Sequence, residues 1–152
     1  MIAMRTILSN LVRDSRGSMA IETAFIVPVL AVMSIGGFEV SGMVSRQSEL
    51  QSAVAEAAQI ALASAPDTDS ERATIKSIIM ASAKLPSSKV TLSNEYRCGT
   101  ATTLVTGTST CGTSTVTTYL KIYVTDSYTP EWTKFGIGRP LTYRITRRVI
   151  VA

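Results

Sequence analysis

The hydrophobic pattern changes period twice along the chain, dividing it into three parts. Residues 18–38 are almost unbroken apolar or small side chains, interrupted by a charge at Glu22. About 21 residues at 1.5 Å each make a helix roughly 31 Å long, the thickness of a hydrocarbon core. Beyond Glu39 the pattern becomes amphipathic: Leu50, Val54, Ala57 and Ala61 recur at helical spacing, with Arg46, Glu49, Glu56 and Gln59 largely elsewhere. The reading is one helix that crosses a membrane over residues 18–43 and continues outside it over 44–64. Pro66 ends that helix. Thr68 with Glu71 three residues later has the form of a capping box and opens a second helix over 69–85. Its apolar face carries Ile75, Ile78, Ile79, Ser82 and Leu85, and Pro86 stops it.

Downstream the period shortens to two. Val90 and Leu92 alternate with Thr91 and Ser93. Leu120, Ile122 and Val124 alternate with Lys121 and Tyr123, and Leu141, Tyr143 and Ile145 with Thr142, Arg144 and Thr146. Strands are predicted near 89–98, 116–125 and 141–151, forming a small antiparallel sheet with one face on the helices and one face wet. The fold class is therefore α+β: a long N-terminal transmembrane helix running into a head, residues 44–152, with a second helix and a sheet.

Charge orients this arrangement. Arg5, Arg13 and Arg16 precede the apolar run, and Arg46 is the only base soon after it. The bias places the N-terminus in the cytoplasm and the head on the opposite side. The formal charge of +4 is a weak argument for nucleic acid, because residues 1–17 supply half of it, and no nucleic-acid partner is expected. Arg144, Arg147 and Arg148 fit an exposed edge strand better than a binding patch.

The absence of histidine excludes imidazole catalysis, Ser-His-Asp triads and the commonest zinc chemistry. Asp67 and Asp69 stand at a helix start, where carboxylates favour the dipole. The residues of Gly136-Ile137-Gly138 read as a turn rather than a dinucleotide loop, since Pro140 and a strand follow. No catalytic residue, metal site or cofactor is expected. Cys98 and Cys111 enclose a Thr/Gly-rich stretch and suit a structural disulfide outside the cytoplasm better than a redox pair, lacking Cys-x-x-Cys spacing.

Glu22 needs a physical reason, because a carboxylate near the centre of a bilayer costs on the order of 2.5 kcal/mol or more. One reading is an interfacial side chain reaching headgroups. Another comes from Gly17: cutting between Gly17 and Ser18 places Glu22 fifth in the mature chain, and the new amine on Ser18 would supply a cation for it. Glycine before the cut and glutamate fifth after it, between a basic leader and an apolar helix, resemble the type IV prepilin pattern. The segments 20–30 (Ala20-Ile21-Glu22-Thr23 through Pro28-Val29-Leu30), Gly36-Gly37-Phe38-Glu39 and 50–58 further resemble the TadE-like family of minor pilins, or pseudopilins, of the tight-adherence (Flp) pilus system. The resemblance covers roughly residues 16–63. Thr23 stands where that family often has an aromatic, and the head after Ala65 matches no motif.

The resemblance implies a leader, residues 1–17, removed by prepilin peptidase at Gly17 and Ser18, with Glu22 as a carboxylate used in processing or assembly. It implies a single-pass protein of the bacterial inner membrane, its head periplasmic or carried into an extracellular pilus. Its partners would be the membrane, the peptidase and other pilin and pilus-assembly subunits, and its role in pilus assembly would be non-enzymatic. The alternative is a membrane-anchored periplasmic binding module that never enters a pilus. An anchored hydrolase finds no base, nucleophile motif or metal cluster in the sequence.

Overall fold

The computed structural model describes residues 15–151, the side chains from residue 19 onward. The leader expected over residues 1–17, with Arg5, Arg13 and the side chain of Arg16, lies outside the described residues apart from the backbone of residues 15–17. The elements run α1 (Ser15–Ser64), α2 (Asp69–Ala83), β1 (Val90–Cys98), β2 (Val116–Tyr128) and β3 (Leu141–Ile150), with short 3-10 turns at Ser87–Lys89, Thr108–Cys111 and Glu131–Phe135. The architecture is the α+β class expected: a long N-terminal apolar helix, a second helix and a three-stranded antiparallel sheet. The chain divides into two units, the first ending at Ser41 and the second beginning at Gly42.

In the first unit the helix turns its apolar side chains outward, including Phe25, Val32, Met33 and Phe38. Among the described residues this is the one helix long and apolar enough to cross a membrane. Two hydroxyls in it are satisfied by the helix itself: Thr23 Oγ1 donates to the Met19 carbonyl and Ser34 Oγ to the Leu30 carbonyl, both at 2.8 Å. In hydrocarbon, where no water competes, such back-bonding removes the penalty of a bare hydroxyl. Pro28 sits inside the helix and lacks the N–H that would otherwise bond Ala24, a loss membrane helices tolerate.

The second unit is the head. Its core joins one stripe of α1 (Leu50, Ala53, Val54, Ala57, Ala58, Ala61) to Ile75, Ile79 and Ala83 of α2 and to one face of the sheet (Val90, Leu120, Ile122, Val124, Tyr143, Val149). The many alanines on the α1 stripe allow close approach, so the aliphatic volume comes mainly from the sheet and α2. The face of α2 differs from the expected one at two positions: Ile78 is only half-buried, outside the core cluster, and Ser82 gives way to its neighbour. Ala83 is buried where Ser82 was expected, and Ser82 is exposed, its Oγ donating to Glu56 Oε2. Ile75, Ile79 and Ala83 repeat at four-residue steps, and Ser82 falls about 100° off that line.

The capping box of α2 is present in both directions: Thr68 Oγ1 accepts from the Glu71 N–H, and Glu71 Oε2 accepts from the Thr68 N–H. At the other end the helix stops at Ala83, two residues before the expected boundary. Lys84 takes a left-handed conformation (φ 52°) and the Leu85 N–H closes back on the Met80 carbonyl. That 6→1 bond satisfies carbonyls a continuing helix would have used. The sheet order is β1-β2-β3, leaving β3 an edge strand. β2 is 13 residues long and reaches Tyr128, beyond the 116–125 span its alternation suggests.

Candidate membrane and processing site

The expected cleavage bond, between Gly17 and Ser18, lies in helical backbone at the start of the described part of α1, Ser15–Ser64. Four residues on, Glu22 occupies the next turn on the same face of the helix, and Cβ bonds tilt toward the helix N-terminus. The Glu22 side chain is exposed.

The spacing between acidic residues bounds the apolar stretch. From Glu22 to Glu39 are 17 helical steps, about 26 Å at 1.5 Å per step, against a hydrocarbon core of about 30 Å. Both carboxylates thus fall within a few ångströms of an interface when the helix stands upright. There the cost of a charge is a fraction of its value at the bilayer centre.

Where α1 enters the head, three contacts fasten it to the sheet. Arg46 bridges Asp126 on β2 (Nη2 to Oδ2, 2.7 Å) and Glu49 on its own helix (Nη1 to Oε2, 2.7 Å). Burial works against the Arg46 charge, but the hydrogen bonds to Glu49 and Asp126 outweigh it and hold the guanidinium more firmly protonated than usual. Tyr143 on β3 donates its phenol to the Met43 carbonyl at 2.9 Å. Burial, and next the charge of Asp126, push that phenol's pKa up. Gly42 meets the ring of Tyr128, where a Cβ would sit 2.7 Å from the phenol oxygen. A side chain at this position would require the Tyr128 phenol to move.

On the outer sheet face Glu95 of β1 accepts from Arg148 Nε of β3 (2.6 Å) and Lys121 Nζ of β2 (2.9 Å), so one carboxylate ties three strands together. The hydrogen bond from Arg148, then that from Lys121, hold Glu95 below the usual carboxylate range against the opposing effect of burial. Arg97 lies over the Tyr119 ring, 5.6 Å from its centroid. Arg144, Arg147 and Arg148 are all exposed on the edge strand, as expected, and Arg148 is in addition paired with Glu95.

Cys98 and Cys111 are joined as a disulfide, with Cα atoms 5.0 Å apart. The enclosed loop is pinned again where Tyr96 and Val105 exchange backbone hydrogen bonds. Of the residues singled out from sequence, the structure brings the cysteines together and sets the backbones of Ser18 and Glu22 one turn apart. Sequence reasoning missed Glu95, Asp126 and the Gly42–Tyr128 approach. An acidic residue at an outward position of a basic, threonine-rich sheet was the available signal for Glu95. Among the described residues no cluster of three His, Cys, Asp or Glu side chains is placed to hold a metal.

Residues 17–59 match the family described as TadE-like protein, consistent with a TadE-like protein of the Tad pilus system. The matched stretch begins at the glycine before the expected cut and takes in Glu22, the apolar segment, Gly42 and most of the α1 stripe. No curated protein and no solved structure matches the chain.

Proposed function

We propose that this chain is a non-enzymatic minor pilin-like subunit that takes part in assembling a tight-adherence pilus at the inner membrane. The observation that carries the reading is the family match starting at Gly17, on a helix apolar enough to cross a membrane. A prepilin peptidase removes residues 1–17, and Ser18 becomes the mature N-terminus. The new amine is a cation at the positive end of a helix dipole, which is unfavourable by itself. Glu22, one turn along, offsets both that repulsion and its own burial when helices leave lipid for a bundle. The N-terminal side is cytoplasmic, and the head with its disulfide is periplasmic, where thiols oxidise and persist as a bridge. Partners are the peptidase and other subunits of the pilus and its assembly platform.

Co-expression with and without a prepilin peptidase, followed by mass analysis of the purified protein, tests this directly. A peptidase-dependent product beginning at Ser18 is expected. A leader retained under both conditions, or a cut after Ala20 by a general signal peptidase, overturns the processing step and favours the anchored binding module. Glu22→Ala is expected to leave the protein in the membrane while reducing pilus output.

A further inference from the structure

The connection between β2 and β3, residues 129–140, closes a hairpin whose last pair is Tyr128 with Leu141. Tyr128 packs on Gly42, the residue at which the head begins. Gly42 stands at the end of the apolar span expected over residues 18–43. The hairpin therefore closes at the end of the head where the chain enters it.

The loop is braced, and it displays large apolar side chains. Pro130 is fully buried, Thr133 Oγ1 donates to the Pro130 carbonyl, and Lys134 pairs with Glu131 at 2.6 Å. Gly136 and Gly138 both take φ of 75°, a conformation that suits glycine and turns the chain on either side of Ile137. The Ile137 N–H bonds back to the Trp132 carbonyl, and Trp132 Nε1 lies against Gly138, 3.3 Å from where a Cβ would sit. Within this frame Phe135 is 81% exposed and Ile137 64% exposed, with Leu141 half exposed beside them. Single exposed apolar residues are ordinary. Two on one rigid tip, with an indole behind them and Lys134 and Arg139 flanking, have the composition of a membrane-interface anchor.

We propose that this loop is a lipid-docking site that inserts Phe135 and Ile137 into the headgroup–acyl boundary of the leaflet from which the apolar helix emerges. Trp132 lies at headgroup level, and Arg139 meets lipid phosphates. The site holds the head down on the bilayer while the subunit is in the membrane. The inference rests on the apolar helix spanning that membrane.

Trp132 is the sole tryptophan, so intrinsic fluorescence of the full chain reports on this loop alone. The chain is reconstituted into phosphatidylethanolamine–phosphatidylglycerol vesicles containing phospholipid brominated either near the headgroup or near the chain end. Blue-shifted emission is expected, quenched more strongly by the shallow bromines, with Phe135→Ser/Ile137→Ser losing both effects and Phe135→Leu/Ile137→Leu keeping them. Carbonate extraction of the same vesicles tests the span separately. Extraction of the wild-type chain overturns the membrane-spanning reading, and the docking site with it. A chain that resists extraction but shows no quenching overturns the docking site alone. Blue-shifted emission without quenching overturns it too, assigning the tip to a protein neighbour.

Discussion

At the residue scale, Glu95 shows how one side chain can serve three strands. Its carboxylate accepts from Arg148 and Lys121, and its pKa is lowered in the folded state. A lowered carboxylate pKa adds stability that is present above the ordinary carboxylate range and lost as pH falls through the folded value. Glu95→Gln is therefore expected to destabilise the head at neutral pH, with the difference from wild type shrinking as the medium is acidified below that range. Thermal unfolding of the full chain in detergent against pH measures this. Gly42 sits at a closer approach. Gly42→Ala is expected to lose to overpacking against Tyr128 much of the helix-propensity gain of about 1 kcal/mol that alanine brings, because the phenol end must shift. Because the nearest atom is the phenol oxygen, Tyr128→Phe in the same chain should recover part of that loss, and a double-mutant cycle reads the coupling.

At the scale of elements, α2 depends on its ends and on two isoleucines. Thr68→Ala removes the acceptor for the Glu71 N–H and the neighbour that helps hold Glu71 below the usual carboxylate range. Its expected cost is about 1 kcal/mol. Ile79→Ala, at a site with no exposure, is expected to cost about 2–5 kcal/mol. Chemical denaturation of both variants should rank them in that order. Replacing Cys98 and Cys111 together by serine frees a closed loop of sequence separation 13, expected to cost about 3 kcal/mol in the chain-entropy picture. The α+β class, the apolar helix, the capping box and the alternation of the three strands were legible because each is a local pattern with its own period. The stripe of α1 was legible for the same reason, as Leu50, Val54, Ala57 and Ala61 are all buried. Contacts set by register were not. Glu95 meets partners 26 and 53 positions away, and Gly42 meets a tyrosine whose strand runs past its apparent alternation. Ser82 was misplaced because a polar side chain and a small apolar one at adjacent helical positions differ by only one step of rotation. The expected processing pattern at Gly17, Ser18 and Glu22 rests on resemblance, whereas periodicity showed only that Glu22 was costly.

For the whole molecule, membrane orientation is the property most open to test. An alkaline phosphatase fused after β3 is expected to be active in the intact cell, and a cytoplasmic reporter at the same place inactive. Reversing Arg13 and Arg16 to glutamate should weaken that bias, because the cations that set it lie on the N-terminal side. The spacing of Glu22 and Glu39 adds a length constraint: inserting four apolar residues between them would lengthen the span by about 6 Å and force the helix to tilt or the carboxylates to separate from one interface.

The order of the elements along the chain also sets a schedule for synthesis. The alanine-lined stripe of α1 leaves the ribosome before every strand that buries it, since Leu50 to Ala61 precede β1 by some thirty residues. Until the strands are made, that stripe is uncovered and waits for the sheet to arrive. The strands lie side by side in sequence order, β1 to β2 to β3, so each later one pairs with a strand synthesised just before it. The last to arrive carries Tyr143 and Val149, which seal the core. A chain arrested before Leu141 would thus present a half-covered apolar groove at the membrane surface, the form in which this protein is most exposed to quality-control proteases.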